Sequence, residues 1–459
     1  METIRVRHAL LPDGWREAVE IDIGADGLIA GIRSGCDLPA EVTACALPAP
    51  GNLHSHTFQR ALAGMAERRG PGGPDSDGRN SFWGWRRLMY AFLEQLTPED
   101  IEAIAALAFV EMLEAGYAAV AEFHYLHHQA DGSAYAQPAE TGRRVQSAAL
   151  ESGIGLTQLP VLYSRGGLDG RPLETAQQRF GCDFEAFARL LADAAEGMKA
   201  LPRDTRLGLA PHSLRAVAPD DLAQVAGLRA EDPIHIHIAE QTAEVAAVEE
   251  AYGTRPVDWL LDNLEVDSRW CLVHATHMTE RETHGLARSG AVAGLCPITE
   301  SNLGDGIFEG RSFAEAGGRF GIGTDSNVRI ALSEELRTLE YSQRLKEQGR
   351  AVLAEENRSA GRFLYDGMLA GGARALGRDS GMLETGKLAD ILCLDGGSLA
   401  LSGIRGDEIL DAWIFTADDR LVWDVWSAGR HVVREGRHQA RERIEGRYRQ
   451  VLNRLRAGL

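Results

Sequence analysis

The sequence predicts an α/β protein, a (β/α)8 TIM barrel with a small β-sandwich domain that the N- and C-terminal segments build together. Three observations carry that prediction. Short, β-rich apolar runs recur through the middle of the chain with helical stretches between them, most of these runs end in a polar or ionisable residue, and both chain ends alternate apolar with polar residues instead.

The elements follow in order. Glu17-Ala-Val-Glu-Ile-Asp-Ile-Gly24 has the two-residue period of a half-buried strand, so the opening segment reads as antiparallel strands, and residues 1–48 are assigned to the first part of the sandwich. Residues 49–375 are assigned to the barrel. Its strand candidates are Ala118-Ala-Val-Ala-Glu-Phe123, Leu156-Thr-Gln-Leu-Pro-Val-Leu162, Arg206-Leu-Gly-Leu-Ala210, Pro233-Ile-His-Ile-His-Ile238, Trp270-Cys-Leu-Val-His274, Ala291-Val-Ala-Gly-Leu-Cys296 and Phe320-Gly-Ile-Gly-Thr324. Gly386-Lys-Leu-Ala-Asp-Ile-Leu-Cys-Leu-Asp395 and the run from Leu421 to Val433 return to strand character. Residues 376–459 therefore form the second part of the sandwich, with a C-terminal helix.

Composition narrows the function. A chain of 459 residues with 44% hydrophobic content can bury a large core. The apolar stretch Ile101 to Val110 is interrupted by Glu102 and followed by Glu111, so it does not reach membrane-spanning length, and no membrane association is expected. The start, Met-Glu-Thr-Ile-Arg-Val, has neither the basic flank nor the apolar core of a signal peptide, so the expected location is cytoplasmic. Cys36, Cys45, Cys182, Cys271, Cys296 and Cys393 lack close paired spacing and read as reduced packing residues. A formal charge of −19 argues against nucleic acid or an anionic membrane as partner, and an anionic metabolite would need local arginines. The glycine-rich stretch Arg69 to Gly78 reads as a loop, since no GK[ST] or strand-then-helix context makes it a phosphate cradle.

The chemistry concentrates at the strand ends, where barrels of this kind carry their sites. Leu53-His54-Ser55-His56 points two imidazoles to one side of a strand end, a geometry for sharing one cation. In Ile234-His235-Ile-His237-Ile-Ala-Glu240, His235 and His237 share a face. The His-x-x-Glu spacing favours His237 as ligand, with Glu240 swinging over the same metal-bound water. Val273-His274-Ala-Thr-His277 and Gly323-Thr324-Asp325-Ser326 close two further runs. A buried carboxylate at a strand end is costly unless paired with a cation, which is the better reading of Asp325.

With these residues in barrel order, the sequence resembles the amidohydrolase superfamily, in the branch of aminohydrolases that includes cytosine and guanine deaminases. The resemblance covers essentially the whole chain and includes Pro50-Gly51-Asn-Leu-His54-Ser-His56 and Gly386-Lys-Leu-Ala-Asp390. Longer motifs, His54-Ser-His-Thr-Phe-Gln59-Arg-Ala-Leu-Ala-Gly64, Ser81-Phe-Trp-Gly-Trp-Arg86-Arg-Leu-Met-Tyr90, Ala121-Glu-Phe-His-Tyr125-Leu-His-His128 and His212-Ser-Leu-Arg215, look most like the N-formimino-L-glutamate deiminase family. That resemblance implies hydrolytic deimination of N-formimino-L-glutamate to N-formyl-L-glutamate and ammonia, in histidine degradation. It implies one zinc ion per chain held by His54, His56, His237 and Asp325, and acid/base roles for Glu240 and His274, with Asp325 also catalytic. Gln59, Arg86, Tyr125, His212 and Arg215 are the implied substrate contacts, with Arg87 a competitor for the place of Arg86. A small-molecule dicarboxylate is the implied partner, and a homodimer is compatible with the resemblance.

A single ion also fits the lysine inventory. Dinuclear members of this superfamily bridge two ions with a carboxylated lysine from an early or middle strand, whereas the first lysine here is Lys199, in a charged helical segment. Glu122 could bridge instead, but its place inside a strand favours a structural hydrogen bond. His124, His127 and His128 could imitate a second metal site, although only alternate members of the cluster share a face. Two other functions stand beside the main one. A nucleobase or related heterocycle could be deaminated on the same centre, with Phe82, Trp83 and Trp85 stacking or simply packing a lid. An inactive metal-binding scaffold should lack acid/base groups, and this chain has Glu240 and His274.

Overall fold

Alternation at the start of the chain becomes four strands: β1 (Glu2–Leu11), β2 (Gly14–Ile23), β3 (Ile29–Arg33) and β4 (Cys45–Pro48). In β2 the side chains of Val19, Ile21 and Ile23 are buried, as the two-residue period requires. The computed structural model describes residues 2–65, 67 and 89–457.

The central runs form nine strands: β5 (Gly51–Ser55), β6 (Ala119–His124), β7 (Gly155–Leu162), β8 (Arg206–Leu207), β9 (Ala210–Pro211), β10 (Ile234–Ile238), β11 (Trp270–His274), β12 (Val292–Leu295) and β13 (Arg319–Ile322). Strands β5, β6, β7, β10, β11 and β12 are buried along their whole length, as parallel strands covered on both faces must be. They pair in parallel as β5–β6–β7–β8, with β9 beside the far end of β7, and as β10–β11–β12–β13. Single parallel bridges, Leu209 to Ile234 and Ser55 to Asp325, close the two arcs into a barrel. The run from Arg206 to Ala210, one strand by its sequence pattern, is two short ones in the structure. Gly208 interrupts it where a Cβ would stand 2.5 Å from Leu159 and 2.9 Å from the Pro233 carbonyl.

Helices alternate with these strands. The helix Pro98–Ala115 shows how local sequence sets their limits. Thr97 caps it by accepting from the Asp100 N–H while Asp100 returns a bond to the Thr97 N–H at 2.9 Å, and Gly116 ends it in the left-handed region at φ 107°.

The chain then returns to the first sheet through β14 (Ile391–Leu394), β15 (Val422–Ser427), β16 (Arg430–Arg434) and β17 (Arg437–His438), and ends in the helix Arg441–Ala457. The eight strands run β17–β16–β15–β14–β4–β1–β2–β3, antiparallel except for the parallel β1–β4 pair. Of the run Gly386–Asp395 only Ile391–Leu394 is continuous strand; Gly386 turns the chain at φ 92°, and Leu388 makes a single antiparallel bridge to Leu28. The sheet curls so that the β2–β3 turn meets the β15–β16 turn, and a Cβ at Gly27 would lie 2.4 Å from the Ala428 carbonyl. Val19, Ile21, Ile391, Cys393 and Trp426 pack together as its own apolar core.

A buried ion cluster ties the barrel to this sheet. Arg378 is fully enclosed and bridges Asp204 (3.1 Å) and Asp390 (3.0 Å), while Arg430 meets Asp204 at 2.8 Å. Each buried charge is thus compensated, the condition for burying charges at all. All six cysteines are free, and all but the partly covered Cys36 are buried. Among the described residues no helix is long and apolar enough to cross a membrane.

Candidate metal centre and active site

Three strand ends bring four side chains to one point. His54 comes from β5, His56 from just beyond it, His237 from β10 and Asp325 from the loop after β13. His54 Nε2 lies 3.2 Å from His56 Nε2 and 3.0 Å from His237 Nε2, and Asp325 Oδ1 is 3.3 Å from His56 Nε2 and 3.6 Å from His54 Nε2. His56 Nδ1 donates to the Phe123 carbonyl at 2.9 Å and His237 Nδ1 to the His212 carbonyl at 3.2 Å, which leaves each Nε2 with a lone pair facing inward. Burial, with the neighbouring imidazoles adding to it, pushes His54 and His237 well below the ordinary imidazole range, so both are neutral near pH 7. Inward-facing lone pairs at such separations repel unless a cation lies among them, and three neutral imidazoles with a carboxylate are a donor set for one divalent metal. His235 is resolved from His237: its Nε2 donates to the Ala375 carbonyl at 2.8 Å, away from this cluster.

Beside this centre His274 ends β11, its Nδ1–H donating to Glu300 at 3.2 Å and its Nε2 lying 3.8 Å from Glu240 and 3.9 Å from Asp325. Burial alone would depress its pKa, but Glu240, Glu300 and Asp325 together raise it well above the ordinary value. Glu240 moves up to about 7, mainly by desolvation. Ala239, His274, Ala275, Asp325 and Asn327 all have positive φ, so the strained backbone of this half of the barrel collects at the ends of β10, β11 and the β13 loop.

These groups open onto a cavity at the mouth of the barrel. Gln59, Tyr125, His212 and Arg215 line it, alongside His56, His237, Glu240, His274 and Asp325. Gln59 Nε2 donates to the Tyr125 hydroxyl at 3.0 Å. Arg86 and its competitor Arg87, with Phe82, Trp83, Trp85 and the glycine-rich stretch, lie outside the described residues. The imitators of a second centre resolve into separate hydrogen bonds: His124 Nε2 with Thr141, His127 Nε2 with the Val161 carbonyl, and His128 Nε2 with the Gly181 carbonyl. Glu122 accepts from both the N–H and the hydroxyl of Thr57, at 2.7 and 2.6 Å. Lys199 is exposed and pairs with Glu196.

Several residues of the site escaped the sequence reading. Glu300 stands on the helix Pro297–Leu303 after β12 and touches His274 only through the tertiary fold. Glu244 lines the cavity and accepts from the N–H groups of Ala239 and Glu240 at 3.3 and 3.0 Å, and burial raises its pKa. Tyr163 and Phe180 line the same wall. Asn52, Thr324, Asn327 and Ser55 form a hydrogen-bonded chain beneath the ligands. The motifs Pro50–His56 and Gly323–Ser326 contain three of these four residues, but their pairing is invisible until the barrel closes.

Comparison with known proteins agrees with this geometry. Residues 46–432 match the amidohydrolase family, and residues 1–41 match the N-terminal domain of the formimidoylglutamate deiminase HutF. A formimidoylglutamate deiminase of Pseudomonas aeruginosa is 49% identical, over 99% of this chain and 100% of its own length. A 5-methylthioadenosine/S-adenosylhomocysteine deaminase of Natronomonas pharaonis is 30% identical over 80% of this chain and 77% of its own. The crystal structure of an amidohydrolase from Brucella melitensis superposes with a TM-score of 0.93 at 46% identity, covering 99% of this chain and 100% of that one.

Proposed function

Because this chain belongs to the amidohydrolase family, we propose that it hydrolyses N-formimino-L-glutamate to N-formyl-L-glutamate and ammonia, a zinc-dependent step of histidine degradation. The observation that carries this reading is the 49% identity, end to end, with an enzyme named for that reaction. The cavity supports it, since three of the metal donors (His56, His237 and Asp325), two acid/base groups and Arg215 all line it.

His54, His56, His237 and Asp325 would hold one zinc ion per active chain. When bound, zinc supplies Lewis acidity and positive charge, which bring a water toward neutrality in pKa and offset the carboxylates that favour protonated His274. The amidinium of the substrate and water become a formamide and ammonium, so a C–O bond forms, a C–N bond breaks and both water protons finish on the departing nitrogen. Asp325 and His274 orient the attacking water and accept its proton. Glu240, with a pKa near 7, passes a proton to the departing nitrogen, and a pKa matched to the working pH suits that role. Arg215, together with Arg86, binds substrate carboxylates, and Gln59, Tyr125 and His212 position the formimino group. We further read the enzyme as cytoplasmic, which suits six unpaired cysteines, and divide the chain into residues 1–48, 49–375 and 376–459.

The test is ammonia release from N-formimino-L-glutamate by protein of measured zinc content. Turnover that rises with zinc to one equivalent is the expected result. Activity on guanine, cytosine or a methylthioadenosine in its place would replace this substrate assignment.

A further inference from the structure

Cys296 differs from the other five cysteines in its company. Its Sγ, a ring nitrogen of His274 and a carboxylate oxygen of Asp325 lie within 4.8 Å of one another, and all three residues are buried. Among the described residues it is the one cysteine that belongs to such a group. The group shares Asp325 with the centre above, but Oδ1 of that carboxylate is nearest His54 and His56 whereas Oδ2 is nearest His274.

We propose that His274, Cys296 and Asp325 form a second, weaker cation site that takes a thiophilic divalent ion, zinc or cadmium, and inhibits the enzyme. The inference rests on the first site being a metal centre and deepens that reading. Sulfur and imidazole nitrogen select soft and borderline ions over magnesium or calcium. The electrostatics favour a cation, since Glu240 and Glu300 stand 3.8 and 3.2 Å from the His274 ring nitrogens in addition to Asp325. The Cys296 backbone is held in register by its N–H, which donates to Glu300 at 2.9 Å, the same carboxylate oxygen that fixes His274. Binding releases the thiol proton, and that of His274 where it is protonated, to solvent. Inhibition follows because the ion occupies the lone pair of His274 and one oxygen of Asp325, both of which the reaction needs.

The experiment uses the full chain loaded with one equivalent of zinc and titrated with further zinc or cadmium. Wild type should bind a second ion, show a thiolate-to-cadmium ultraviolet charge-transfer band and lose activity over the same range, with recovery on mild chelation. Cys296→Ser should keep the first ion and near-normal basal activity, lack the band, and need at least about tenfold more metal for equal inhibition, as loss of one soft ligand implies. Equal inhibition of both proteins, or a second ion without the band, would overturn the site. Should the serine variant fail to fold, the band and the activity loss in Cys36→Ser protein still decide, and their absence overturns the proposal. Protein that never retains a first ion would overturn the proposed function and this site together, whereas loss of the second site alone leaves the first standing.

Discussion

His56 and Asp325 hold each other twice: the His56 N–H donates to the Asp325 carbonyl at 2.9 Å, and the Asp325 carboxylate stands 3.3 Å from His56 Nε2. The first contact closes the barrel, and the second belongs to the metal donor set. Asp325 sustains φ 46° to make both, and Asn327 supports it by donating from Nδ2 to the Asp325 carbonyl and to Ser55, each at 3.1 Å. Asn52 and Thr324 complete the clamp at 2.7 Å. Asn327→Ala should therefore lower zinc affinity by about 10–100-fold, the range found for partners that orient metal ligands. Competition against a chromophoric chelator measures it, and zinc retention equal to wild type would remove Asn327 from the centre.

The two histidines of β10 make opposite predictions. His237→Ala should abolish zinc binding and turnover together. His235→Ala should keep zinc and activity while losing about 1–3 kcal/mol of stability, because the Ala375 carbonyl is left buried without its donor. Metal analysis and urea unfolding of both variants separate the assignments, and a zinc-free His235→Ala protein would reverse them.

What the sequence discloses and what it hides divide along a physical line. His54 and His56 are readable because a strand's two-residue period puts them on one side, and Glu240 because its spacing from His237 is local. The same period cannot separate His235 from His237, which only the Ala375 contact does. Glu300 reaches His274 from the next barrel unit, and no local pattern marks such a contact. The fold was legible as a rhythm of runs, yet the break at Gly208 depends on Leu159 and Pro233, both distant in sequence.

Glu240→Gln keeps the shape of the side chain and removes the proton relay. Turnover should fall by about 10²–10⁴-fold while zinc content stays at wild-type level. Near-full turnover would deny Glu240 its role.

Glu122 gives the structure a pH signature of its own. It is fully buried, and desolvation lifts its pKa to about 7, the Thr57 hydrogen bonds opposing. Between the unfolded value, about 4.3, and 7 the native state binds a proton that the unfolded chain has released, so stability falls as pH rises through this window. The contribution is on the order of 4 kcal/mol. Glu122→Gln, which cannot titrate, should flatten the unfolding free energy of zinc-free protein between pH 5 and 7 relative to wild type. An unchanged slope would mean that Glu122 is ionised in the native state.

Arg215 carries the specificity argument. It stands in the cavity wall with Glu240 and Glu244, and its Nε is buried without a hydrogen-bond partner, so donor capacity remains for a substrate anion. Guanidinium binds carboxylate through two parallel hydrogen bonds, a geometry neither lysine nor a neutral group reproduces. Losing such a contact costs about 2–5 kcal/mol, roughly a 30- to 5,000-fold drop in kcat/KM. Arg215→Met should show that drop on N-formimino-L-glutamate with zinc content normal, and Arg215→Lys should recover only part of it. A formimino compound without the side-chain carboxylate sharpens the test. Wild type should process it poorly, and if Arg215 binds that carboxylate, Arg215→Met should be no worse than wild type. The double-mutant logic then assigns the lost energy to one contact, because a general disturbance of the cavity would slow both substrates alike. If Arg215→Met kept wild-type kcat/KM on the dicarboxylate, Arg215 would be no clamp, and Arg86 would have to carry the recognition alone.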